Sequence, residues 1–473
     1  MSAGTDLDAP RLARAGLMAR LARACFAGRL ALAGTGLLTL GCYSGSPLAS
    51  GDDEGTTSGA TDGSSSSSST SSTSSASAST GDGSTSEGSA SASGSSGDAT
   101  DGDTEDPLGD TTGPQGEDPL AELDRYTPEE ARDYLRAIAP MVVGRLMSPA
   151  EEALIEHFQA RGIVPVLEGW VEEESFAETA RMMMQIKLAA SGQGDEIDFE
   201  LPGNLAAHLA RKGLPYRELI TSDTCIDGGG NAIPCDTGAP YTAGVLTTRA
   251  YLRANASRFN LRRARRMMYI FNCLTYPMDT ELQPPLEKSL LIPMFRALTP
   301  DEQTVPEAKN GFGNGFACYN CHSQFGAHAQ LFVRFDETGL YHADATGLQD
   351  PENELGRSQN GLFVSHFVSP VAAPKELSQV FGTLVSTVRD AAEVLADDPT
   401  FYECASRNVI EWTFGLGEAE GAMTDRALLV ETAARALDRS PEPSFGDLFV
   451  ATLTHPDVID VVLDNPATQG DAP

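Results

Sequence analysis

The residues with the most chemical content are Cys318-Tyr319-Asn320-Cys321-His322. Two thiols three positions apart lie on one side of a helical turn, and the His that follows can reach a metal held beside them. In c-type haem attachment such thiols add to the porphyrin vinyl groups, and the His gives iron its proximal nitrogen. Other chemistries use similar residues. A thioredoxin-like redox pair wants CxxC opening a helix after a strand, and no strand pattern precedes Cys318. A structural zinc site wants a second ligand pair at short spacing, and none follows. A chance CxxCH would need two of only eight Cys to fall at this spacing beside a His. The expected cofactor is one covalent haem c, attached through Cys318 and Cys321 with His322 on the iron.

The sixth iron ligand separates two functions. A Met or second His makes an electron carrier, whereas an open position permits oxygen or peroxide chemistry. No Met stands between Cys321 and Met423. His342 or His366 is the expected distal ligand, with Met278 and Met294 as upstream alternatives. His328 follows the motif too closely to swing to the opposite face. Gly311, Gly313 and Gly315 permit close backbone approach. Phe312, Phe316, Phe325 and Phe332 either cover the ring or form ordinary core.

Cys225 and Cys235 flank the Gly-rich run IDGGGNAIP. In an oxidising compartment this spacing reads as a disulfide closing the loop. A metal loop using Asp227 and Asp236 is the alternative, although Gly-rich turns employ Asp in any case. Cys273 and Cys404 fall in helical segments and either pair or are buried thiols. Arg258, Arg262, Arg263, Arg265 and Arg266 form a basic cluster. It either meets carboxylates of a haem or a partner, or is a solvated face pairing with local acids.

The elements that must position these residues read as mainly α. Thr127-Pro128-Glu129-Glu130, Ser148-Pro149-Ala150-Glu151 and Thr299-Pro300-Asp301-Glu302 are capping boxes with Pro at the first helical position. Ala131, Tyr134, Leu135, Ile138 and Met141 share one helical face. The spans 176–190, 246–273, 399–414 and 424–437 also read as helices. Residues 332–341 are the one expected hairpin, turning at Glu337-Thr338-Gly339.

Residues 42–118 are mostly Ser, Thr, Gly, Ala and Asp, too poor in apolar side chains to offset the entropy of ordering them. They read as a disordered tether. Before them, Arg11, Arg14, Arg20, Arg23 and Arg29 precede the apolar run Leu30–Leu40, then Gly41-Cys42. This is the secretory pattern, and the run is too short to span a bilayer. The expected organisation is a signal at 1–41, a tether at 42–118, a helical module at 119–240 and a CxxCH-bearing helical module at 241–473. The formal charge is −34, and no Lys or Arg stands between Arg29 and Arg125. That balance argues against nucleic-acid binding through phosphates and favours a redox partner with a basic docking face. The chain carries no flavin or nicotinamide fingerprint, and a single CxxCH is fewer than a dihaem peroxidase needs.

Two resemblances add to this reading. Cys42 after the apolar run resembles the lipobox of bacterial lipoproteins, in which the Cys becomes the lipidated first residue of an envelope protein. Thr39 stands where that family usually has Leu. The region Gly326–Tyr341, with Phe335, Asp336 and Gly339, resembles the planctomycete-type cytochrome-like domains. Phe401-Tyr-Glu-Cys404, Trp412-Thr-Phe-Gly415, Phe445-Gly-Asp-Leu448 and Leu453-Thr-His455 are similar to that family's C-terminal module. The segment from Val245-Leu-Thr-Thr248 to Cys273 resembles an upstream one. The Asp-Pro that follows CxxCH in the family is absent, and Phe325 stands where Met is common. The resemblance implies a c-type cytochrome-like helical fold and an exported haem protein. The expected function is electron transfer by a lipid-anchored cytochrome. The alternatives are a haem oxidoreductase or peroxidase with an open iron site, and a surface interaction module with a structural haem.

Overall fold

A computed structural model describes residues 118, 120–192, 196–291, 316–345, 363, 365–367, 379–416 and 425–464. The signal segment, Cys42, the tether, Met294, Gly311, Phe312, Gly313, Gly315 and the capping box at Thr299 lie outside the described residues. So do the side chains of Phe316 and Cys318.

The described part is mainly helical. The first two capping boxes form as read. In the helix Pro128–Val142 the Glu130 N–H donates to the Thr127 hydroxyl, and the Glu130 carboxylate accepts from the Thr127 N–H at 2.8 Å. Ser148 and Glu151 do the same for Pro149–Phe158. Tyr134, Leu135 and Ile138 are buried on the expected face. Ile163–Val171 and Glu174–Lys187 follow. The next helix, Leu201–Lys212, is not announced by its sequence. Its Pro202 falls in the first turn, where a missing N–H costs nothing, and it stops at left-handed Gly213.

The span 246–273 forms two helices rather than one, Arg249–Ala254 and Leu261–Asn272. Phe259 and Asn260 between them are both left-handed, each with φ 57°, which no continuous helix can accommodate. The expected hairpin at 332–341 is a tight turn closed by a single antiparallel bridge, Phe335 to Tyr341. The Asp336 carboxylate accepts from the Thr338 and Leu340 N–H groups, taking the place of a longer ladder. Gly339 there has φ +85°, and a Cβ on it would meet the Arg249 Cα at 2.9 Å. Among the described residues the strands are two short antiparallel pairs, Cys225–Ile226 with Ala232–Ile233 and Gln379–Val380 with Thr383–Leu384.

Five more helices follow among the described residues: Val388–Asp397, Thr400–Phe414, Arg426–Arg439, Phe445–Leu453 and Pro456–Leu463. The largest core cluster runs from Leu123 to Val462. Pro128–Val142 lies against Pro456–Leu463, and Ile163–Val171 against Phe445–Leu453. The Tyr134 hydroxyl donates to the Leu453 carbonyl at 2.6 Å, and the Trp412 indole N–H to the Met141 carbonyl at 2.7 Å. Residues on both sides of 240 therefore share one core, within one compact unit. Two disulfides cross-link it. Cys225–Cys235 closes the Gly-rich loop, and Cys273–Cys404 ties the end of Leu261–Asn272 to Thr400–Phe414.

Candidate functional site

The CxxCH motif opens the helix Phe316–Gln330. Cys321 and His322 are partly buried on it. Burial pushes the His322 imidazole down to about 4, so it is neutral at pH 7, the form in which an imidazole ligates a metal.

His366 lies directly against His322. The ring centroids are 5.4 Å apart and the planes 31° apart. His366 is fully enclosed, and burial followed by the neighbouring His322 lowers its pKa well below the ordinary value. Gly326, one turn beyond His322, makes this approach possible, because a Cβ there would meet the His366 Cβ at 2.9 Å. The segment 365–367 is fixed to the same helix. The Ser365 hydroxyl donates to the Gln330 side-chain carbonyl at 2.7 Å and accepts the Phe367 N–H at 3.0 Å. Phe367 also bridges to Leu291.

A second, smaller core cluster surrounds the pair and contains Phe259, Leu261, Ala264, Leu291, Phe325 and Phe367. Phe325 stands 6.1 Å from the His322 ring and 6.4 Å from that of His366. Phe259 stands 5.3 Å from His366 on another side. Phe332 packs in the large cluster instead, beside Tyr251.

The other expected residues lie elsewhere. His342 faces Asp336 at 3.0 Å and its side chain is 43 % exposed. His328 is buried two turns along the motif helix, with Nδ1 against the Tyr276 hydroxyl. Burial pushes His328 down to about 4, with the Gln379 backbone opposing. Met278 is held by its backbone: its N–H donates to the Gln324 side-chain carbonyl at 2.7 Å. Its side chain belongs to the large cluster rather than to the one around His322. In the Gly-rich loop, Asp227 accepts the Gly229 and Asn231 N–H groups, and Asp236 accepts that of Arg249. Both acids have structural duties there.

The basic cluster does not form one solvated face. Arg262 is exposed and Arg263 is fully buried. Arg258 stacks on Phe259, with its guanidinium carbon 5.1 Å from the ring centre. Arg266 donates to the Lys187 carbonyl. Arg263 donates to the carbonyls of Leu252 (2.9 Å), Phe335 (2.8 Å) and Asp336 (2.5 Å), and to the Asn260 side chain (3.0 Å). Gly326, Ser365 and Phe259 shape the site although the sequence does not assign them to it; Gly326 carries a signal, as a Gly inside a helix four residues after the motif His. Arg263 belongs to the basic cluster, but it meets backbone carbonyls and the Asn260 side chain rather than carboxylates.

Among the described residues, no group of three or more His, Cys, Asp and Glu side chains is placed to hold a metal ion. None of the described helices is long and apolar enough to cross a membrane. No family model, curated protein or solved structure matches this chain.

Proposed function

We propose that this protein is an exported, lipid-anchored c-type cytochrome of the planctomycete-type cytochrome-like family that carries one haem and transfers electrons. The observation that carries the reading is the pair His322 and His366: two neutral imidazoles, one partly and one fully buried, brought together beside Gly326 on the helix opened by CxxCH.

The motif supplies two thiols and a neutral imidazole, the donor set of a covalently held haem. His366 could join His322 on one iron only if the segment 365–367 drew back, because its Cβ packs on the Gly326 backbone and the ring centroids stand 5.4 Å apart. Cys318 and Cys321 would hold the porphyrin covalently and His322 would bind its iron, with His366 the nearest further imidazole. When bound, haem c supplies reversible one-electron chemistry. Phe259, Phe325 and Phe367 exclude water from the two imidazoles and so limit access of small oxidants. Ser365 and Gln330 keep His366 on the motif helix. The placement of His366 favours a filled sixth position over an open, peroxidase-like one. Both disulfides accord with an oxidising compartment, and Cys42 with a lipid anchor.

The test is an absorption spectrum of the protein made in a periplasm with haem-maturation machinery. It is taken oxidised, reduced and with carbon monoxide, after denaturing extraction of loose haem. The expected result is covalent haem with a low-spin spectrum that carbon monoxide does not move, lost entirely in Cys318→Ala plus Cys321→Ala. Absence of covalent haem in the parent protein overturns the reading. A high-spin, carbon monoxide-binding spectrum would favour the oxidoreductase.

A further inference from the structure

In a chain of formal charge −34, Arg136, Arg145, Arg161, Arg181 and Arg211 each pair with a carboxylate. Arg334 meets none among the described residues. Its Nη1 donates to the Tyr341 hydroxyl at 2.9 Å. Its Nε is buried without an acceptor, and no described acceptor meets Nη2. A guanidinium presents Nε–H and Nη2–H side by side, the edge that takes both oxygens of a carboxylate. A buried donor left unmet is costly, and an acceptor arriving from outside would meet it. The tight turn at 335–341 holds this edge in place. The His342 N–H donates to the Arg334 carbonyl at 2.8 Å, and the Tyr341 N–H to the Thr237 carbonyl at 2.9 Å. The Tyr341 ring packs edge-on against Phe335 and Tyr241, with centroids 5.4 and 6.1 Å away. Burial and Tyr341 push the Tyr241 phenol up, against a hydrogen bond from the Val388 backbone and the charge of Arg334. Tyr241 therefore keeps its proton at neutral pH and can donate it. The nearby acids are engaged elsewhere. Asp336 accepts from the Thr338 and Leu340 N–H groups and faces His342. Asp390 accepts from the Ser386 and Thr387 N–H groups.

We propose that Arg334, with the hydroxyls of Tyr341 and Tyr241, is a binding site for the carboxylate of a small organic acid, held side-on by Nε and Nη2 of the guanidinium. This does not rest on the haem reading above.

The test titrates the purified protein with sodium benzoate, sodium succinate and inorganic phosphate at constant ionic strength. Binding is followed by calorimetry and by the arginine Nε–H signals in nitrogen-15 magnetic resonance. Arg334→Lys keeps the charge and loses the planar fork. Tyr341→Phe keeps the fork and loses one hydroxyl, so it remains informative if the Lys variant fails to fold. Circular dichroism controls for folding. The expected result is saturable binding of a carboxylate probe that moves one Nε–H signal, the one missing from Arg334→Lys. Affinity should fall about tenfold in Arg334→Lys and roughly threefold in Tyr341→Phe. Phosphate should bind more weakly than either carboxylate, because its tetrahedral oxygens match the planar edge less well. No saturable binding of benzoate or succinate by the parent overturns the proposal. So does parent affinity in the folded variants, or tighter binding of phosphate. Each of these outcomes leaves the cytochrome reading standing.

Discussion

In the helices between Pro128 and Val171, charged groups sit at or near the surface. Arg136 pairs with Glu152, Arg145 with Glu151 and Glu173, and Arg161 with Asp118 and Asp124. Around His322 the polarity is turned inward: His328, His366, Arg263 and Gln324 are all buried. Solvated ion pairs add little stability, whereas an enclosed polar group is costly unless every donor and acceptor is met. The first region keeps its charges where water already satisfies them. The second holds, in fixed positions, polar groups that are costly to enclose.

The largest expected effect comes from the cross-links. Cys273–Cys404 closes a separation of 131 residues that contains the CxxCH helix, whereas Cys225–Cys235 closes one of 10. The loop-entropy model assigns about 5 kcal/mol to the first and about 3 kcal/mol to the second. Chemical denaturation of the two double Ser variants should rank them in that order; equal losses would show that the site region gains nothing special from its clamp.

Next come two identical substitutions in the two regions. Gly326→Ala would drive a Cβ into His366, destabilising by about 1–3 kcal/mol and displacing the imidazole. Gly169 lies exposed in a helix, and a methyl added to it would find nothing within 4 Å, so Gly169→Ala should stabilise by about 0.5–1 kcal/mol. Melting curves of the pair would blur the contrast if both moved in one direction.

Glu151 is the exception in the outer region. Burial raises its pKa, but hydrogen bonds from Arg145, the Ser148 N–H and Trp170 outweigh this and hold it at about 2. A carboxylate depressed in the folded state contributes stability that is complete above its ordinary value near 4.5 and is lost as pH falls toward 2. Glu151→Gln should cost about 1.5–3 kcal/mol at pH 7 and flatten the acid limb of the stability profile. The smallest effect is expected for Arg161→Ala, which removes solvent-exposed pairs and should leave the melting temperature within measurement error.

Helix starts were legible where a side chain acts on its own backbone. Thr127 and Ser148 announce themselves because capping is local in sequence. The break at Phe259–Asn260 was not legible, since neither Gly nor Pro marks it and its cause is Arg263 reaching residues 335 and 336. The motif helix was expected from CxxCH itself. Which of His342 and His366 lies beside His322 depends on the path of the chain after Tyr341. A local turn takes His342 to Asp336, while Ser365 and Phe367 bring His366 to a helix far back in sequence. Spacing pairs Cys225 with Cys235, whereas for Cys273 and Cys404 the sequence leaves pairing and buried thiols both open.

The Arg125 guanidinium meets Asp460, the Tyr126 hydroxyl donates to the Pro456 carbonyl at 3.0 Å, and Arg435 reaches Glu122. The beginning of the folded unit thus rests on helices made some three hundred residues later. During synthesis, Pro128–Val142 can pack early on Pro149–Phe158 and Ile163–Val171, but its contacts with Pro456–Leu463 must wait until the far end of the unit has left the ribosome. The core of the folded unit therefore closes only when nearly all of it has been made.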